Sequence, residues 1–137
     1  MSTPSNTLEQ AIKERYTNDV SLAHNQLPPR NMKAGVIQDL EVDGTKGFFE
    51  VQTSKELQTN SWPIFSSVVT FNVYDRNWDN TKFVSDNLDN FFDSMAFSKL
   101  NVNIIASNLE DSSYEQGENL VWEYRTTYRV TWEQTSD

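Results

Sequence analysis

Hydrophobic and polar positions alternate most clearly near the end of the chain, from Leu120 to Glu133. Leu120, Trp122, Tyr124, Thr126, Tyr128, Val130 and Trp132 fall on one side, and Val121, Glu123, Arg125, Thr127, Arg129, Thr131 and Glu133 on the other. Side chains alternate across a strand, so this split predicts a strand with one buried and one wet face. The stretch has no Gly or Pro and is rich in aromatic and β-branched residues, which fit a pleated surface. Its large aromatics need cover, because burying apolar area is worth about 25 cal/mol per Å².

Weaker periodicities fill the rest. Leu8, Ala11, Ile12, Arg15 and Tyr16 recur at helical spacing, and Thr7 with Gln10 fits a capping box, predicting a helix over 7–18. The stretch 23–35 reads as a loop around Pro28–Pro29. Val36 to Val42 reads as a strand, closed by the turn dipeptide Asp43-Gly44, and Phe48 to Thr53 returns from it with Phe49, Val51 and Thr53 on one face. After a polar connection over 54–63, Ile64 to Tyr74 forms a third strand with Phe65, Val69, Phe71 and Val73 inward. Asp79, Asn80 or Thr81 can cap a second helix, whose apolar stripe is Val84, Leu88, Phe91, Phe92 and Met95, with Asp86, Asp89 and Asp93 opposite. Val102 to Ser107 is a fourth strand. An acidic loop containing Glu110, Asp111, Glu115 and Glu118 leads into the closing strand. The order α-β-β-β-α-β-β predicts an α+β fold, a largely antiparallel sheet with two helices packed on one face. One domain over 1–137 is expected, with 1–6 and 134–137 as mobile ends.

Composition narrows the function classes. The chain is 36% apolar, or about 39% with its four glycines, against roughly 45–50% for a typical globular protein. A small core or burial in an assembly would account for the deficit. The net charge of −9 repels phosphate and argues against nucleic-acid affinity as the main business of the chain. No cysteine is present, so disulfides and thiolate metal sites are excluded. No apolar run exceeds three residues, where a membrane helix needs about 20. The amino end lacks the basic and apolar regions of a signal peptide, so a cytoplasmic protein is the default expectation.

Candidate chemistry is sparse. His24 is the single histidine, in a polar loop without a spaced partner, and reads as solvated. The glycines never cluster into a phosphate-binding loop. Asp75, Asn77, Asp79 and Asp86 stand at positions 1, 3, 5 and 12 of a calcium loop, but Asn80 replaces the glycine and Asp86 the glutamate that such a loop requires. Asp39, Glu50 and Gln52 resemble the acid, acid-x-lysine spacing of the PD-(D/E)xK nucleases, with Gln52 where the lysine would stand; the bland reading is a hairpin with polar outward residues. Arg30 and Lys33 have no acid near them in sequence between Asp19 and Asp39. They are candidate partner contacts, toward a partner's carboxylates or passing DNA, or solvated surface. No catalytic, cofactor or metal residue is assigned.

Three stretches, LEQAIKERYTND, VVTFNVYDRNWDNTKFVSDNLDNFF and LVWEYRTTYRVTWE, together with the order of elements, resemble the tail-terminator (tail-completion) proteins of long-tailed bacteriophages over about residues 7–133. The resemblance implies a non-enzymatic virion protein of the tail-neck region, assembled in the host cytoplasm without cofactor or membrane. It implies a homo-oligomeric ring, a hexamer in that family, that caps the tail tube protein and stops its polymerisation. That ring would meet the head-tail connector or neck protein, and the sheath protein where there is one, while DNA passes through the lumen without specific binding. A neck or head-completion adaptor is the neighbouring alternative, and a Mg²⁺ nuclease a remoter one.

Overall fold

The computed structural model describes residues 4–18, 26–35, 44–53, 64–92, 98–99, 101–117 and 120–134. Helix α1 spans Pro4–Asn18 and α2 spans Trp78–Phe92. The strands are β1 (Met32–Ala34), β2 (Lys46–Thr53), β3 (Ile64–Asp75), β4 (Ser98–Lys99), β5 (Val102–Gln116) and β6 (Trp122–Gln134). Among the described residues they form one sheet in the order β1-β2-β3-β6-β5-β4. Every neighbouring pair is antiparallel except β1 with β2. The α+β class with a largely antiparallel sheet is therefore the observed one. No described helix is long and apolar enough to cross a membrane.

The predicted period-2 rows make the core. β3 buries Phe65, Ser67, Val69, Phe71, Val73 and Asp75, and β6 buries Tyr124, Thr126, Tyr128, Val130 and Trp132. These strands pair with Phe65 opposite Trp132 and Val69 opposite Tyr128, so both inward rows share one face. Phe65 stacks on Trp132 with centroids 4.9 Å apart, and the indole N–H of Trp132 donates to Ser67 Oγ at 2.8 Å. That bond explains a serine in an apolar row, since a buried N–H needs an acceptor. Over this face α2 inserts Val84, Leu88 and Phe92, the last meeting Phe71 and Tyr128 edge-on at 5.2 and 5.1 Å. Helix α1 adds Leu8, Ala11, Ile12 and Tyr16 and packs on strands toward both ends of the sheet, while α2 covers the central β3 and β6.

Several expectations are corrected. Helix α1 begins at Pro4, so Thr7 lies inside it rather than at its cap; a proline is favoured in a first turn, where its missing N–H costs nothing. Pro4–Asn6 belong to α1 and Gln134 to β6. The supposed loop 23–35 contains a 3-10 turn, Pro29–Asn31, and the edge strand β1. Gly35 ends β1 at φ 109°, a conformation that favours glycine, and its N–H donates to Phe49 O at 2.8 Å. Gly47 of β2 is packed so tightly that a Cβ would meet Leu27 Cδ2 at 2.7 Å. The proposed strand Val36–Val42, the residue Asp43 of the proposed turn, the connection 54–63, and Asp93 and Met95 lie outside the described residues. Glu110, Asp111 and Glu115 of the expected acidic loop lie on a strand, while Glu118 is outside the described residues: β5 runs on to Gln116 and pairs with β6 along its whole length, through register shifts between Ile104 and Ala106 and between Leu109 and Asp111. Leu120 precedes β6 at φ 62° and is 69% exposed, so the buried row starts only at Tyr124.

Candidate interaction surface

The junction of β3 and α2 is built on Asp75. Its Oδ1 accepts the Asn77 N–H at 2.7 Å, and its Oδ2 accepts Asn80 Nδ2 at 3.3 Å and the Thr45 hydroxyl. Asn77 Oδ1 in turn accepts the Asn80 N–H at 3.0 Å, so Asn77 is the helix cap, ahead of the predicted Asp79, Asn80 or Thr81. This disposes of the calcium loop. Residues from Trp78 on are helical, and the rise to Asp86 is about 12 Å at 1.5 Å per residue, too far to close on Asp75. Asp86 instead pairs with Lys82 one turn back, at 3.7 Å.

Asp89, expected on the wet face of α2, is drawn inward. Its Oδ1 accepts the hydroxyl of Tyr124 at 3.1 Å and that of Tyr128. The two buried phenols of β6 thereby find one acceptor on the helix above them. Burial pushes both phenols above the ordinary tyrosine range, and the Asp89 carboxylate adds to the rise. Burial likewise raises Tyr16, whose hydroxyl donates to Leu27 O, and Tyr74, where Glu123 contributes further.

The sheet face turned away from the helices is knitted by polar cross-strand pairs. Tyr74 donates to Glu123 Oε2 at 2.8 Å, Arg125 Nε to Asn72 Oδ1 at 3.0 Å, and the hydroxyls of Thr70 and Thr127 meet at 3.3 Å. Arg129 reaches Glu110 of β5. These are directly opposed or neighbouring positions, the natural unit of sheet stabilisation. At the start of α2, Trp78 rests against Trp122 at 4.6 Å and Tyr114 at 5.0 Å, and Tyr114 lies 4.7 Å from Tyr124. Lys82 Nζ stands 5.9 Å from the Tyr114 ring centre, and the Tyr114 hydroxyl shares a hydrogen bond with Ser85. Trp78 and Tyr114 are each more than a third exposed, so this aromatic cluster opens to solvent.

The two sheet edges differ. Arg30 and Lys33, the candidate contacts, sit together on the 3-10 turn and on β1, both exposed and, among the described residues, without an ion pair. On the opposite edge β4 pairs with Val102 and Asn103, so among the described residues the far half of β5 has β6 on one side and no strand on the other. From Asn108 to Gly117 every residue there is exposed. Sequence reading missed this acidic edge because the run shows no period-2 alternation and its large apolar residues, Leu109 and Tyr114, stand isolated among polar ones. The absence of Gly and Pro between Asn108 and Gln116 was the available signal. Of the nuclease-like set, Glu50 and Gln52 are exposed on β2, while Asp39, like His24, lies outside the described residues. No group of three or more metal-ligating side chains gathers among the described residues.

Neither a protein-family model nor a curated protein matches the chain in sequence. In structure it is similar to a chain of the virion of a native gene transfer agent (GTA) particle, with a TM-score of 0.71 at 12% identity. The match covers 96% of this chain and 99% of that one, so the likeness is one of fold, from end to end.

Proposed function

We propose that the chain is a structural virion protein of a tailed phage or phage-like particle. In that reading it is the tail terminator, whose subunits close into a ring, hexameric in the family it resembles, that caps the tail tube and joins it to the head connector. The observation that carries the reading is the shared fold over nearly the whole length of both chains with a component of a gene transfer agent virion. Two features support it. The sheet has open edges at both ends among the described residues, as a subunit that completes its burial in an assembly would. In this reading the chain carries no catalysis. The net charge of −9 suits a channel that DNA must traverse without sticking.

Electron microscopy of particles lacking the gene tests this. Tails of abnormal or variable length without heads, returned to one length by complementation, are expected. Tails of normal length that fail to join heads would replace the terminator by a neck adaptor, and particles with intact, joined tails would sink the virion role.

A further inference from the structure

The two ends of the sheet are complementary in charge, direction and facing. Strand β1 carries Lys33, with Arg30 just before it, and its outer side is unpaired among the described residues. β5 carries Asp111 and Glu115, and beyond the second register shift its ladder with β6 is regular from Asp111 to Gln116. These acids oppose Thr127 and Glu123, which lie on the sheet face away from the helices. Lys33 is opposed to Phe48, between the buried Met32–Gly47 and the Ala34–Phe49 pair, so it points to that same open face. The strand directions agree as well. β1 runs with β2 and β6, and β5 runs against them, so β1 of one copy set beside β5 of another in a head-to-tail arrangement would be antiparallel. Neither Asp111 nor Glu115 has an ion-pair partner among the described residues, and Glu115 faces Glu123, a like charge, in its own sheet.

We infer that the occupant of the β5 edge is a second copy of this chain, whose β1 adds antiparallel alongside Asp111–Gln116. Lys33 and Arg30 then lie across from Asp111 and Glu115, and the sheets run on from subunit to subunit. The inference rests on the ring reading above and names the surfaces that close the ring. A contact between two different edges is heterologous, and repeated with a closing rotation it generates a ring rather than a dimer. Opposite charges across neighbouring strands favour this register, and the chain's overall negative charge disfavours close approach through other surfaces.

Charge reversal tests it. The R30E/K33E chain has two acidic edges and the D111K/E115K chain two basic ones. All four side chains are exposed, so both variants keep the fold, which thermal unfolding verifies. Sedimentation and electron microscopy of the purified chains, and complementation of particles lacking the gene, read the outcome. Wild type is expected to form rings and each variant alone to lose them. An equal mixture should recover rings in which the two variants alternate. Rings from either variant alone, or a mixture that stays dissociated, overturn the edge pairing while leaving the ring reading standing. So does loss of tube attachment with rings intact, which would give the edge to the tube subunit. A wild-type chain that is monomeric in solution and forms no ring on isolated tails sinks both.

Discussion

β5 and β6 are paired along their whole length, yet they live in different environments. At the pair Leu109–Tyr128, for example, Tyr128 is 0% exposed and Leu109 is 42% exposed. β6 alternates buried and more open residues from Tyr124 to Glu133, whereas in β5 buried positions stop at Ser107. The cause is what stands beside and above each strand. β6 has β3 on its other side and α2 over its inner face, while the far half of β5 has no second strand beside it among the described residues and meets α2 through Tyr114, at Trp78 and Ser85. A strand's pairing is thus a backbone matter, whereas its burial is conferred by neighbours.

The largest test of that contrast is Tyr128→Ala. It empties a fully enclosed aromatic site against Phe71 and Phe92 and takes one donor from Asp89, so a loss of about 3–5 kcal/mol in urea denaturation is expected. A loss below about 1 kcal/mol would mean that β6 is no better enclosed than β5. Next in size is the response to alkali. Tyr16, Tyr74, Tyr124 and Tyr128 hold their protons more tightly in the folded chain than their ordinary value near 10. Their contribution is therefore fully present below pH about 10 and is lost as pH rises above it, because the unfolded chain ionises first. Stability should fall progressively in that window, and a flat profile would contradict the enclosure of these phenols. Smallest is Leu109→Ala, expected to cost under about 1 kcal/mol because the side chain is already half in water. A loss matching that of Tyr128→Ala would show that the outer half of β5 is covered after all.

Legibility followed the same divide. Period-2 rows with large side chains, Phe65 to Val73 and Tyr124 to Trp132, were readable because burial and alternation coincide there. The stripe Val84, Leu88 and Phe92 was readable for the equivalent reason at helical period. Asp89 was not, since its position on the helix implies water and only the two tyrosine hydroxyls beneath it supply the reason to turn inward. The outer half of β5 was not readable either. Its residues are all exposed and carry no apolar alternation, and their strand conformation comes from hydrogen bonds lent by β6. Arg30 and Lys33 were singled out from their lack of acidic neighbours in sequence, but their place on a sheet edge depends on β1 pairing with β2 in parallel.

By itself the sequence determined the class of fold, the helical stripe of α2, the inward rows of β2, β3 and β6, and an acidic chain without thiols. Each of these is local, because a repeat of side-chain polarity selects a period and a period selects a backbone. Only the tertiary structure decided that, among the described residues, β1 and the far half of β5 keep an open backbone edge, that Lys33 shares a sheet face with Asp111 and Glu115, and that Asp89 serves Tyr124 and Tyr128. Those facts depend on which distant segments become neighbours, and sheet order is set by long-range pairing that no local period encodes.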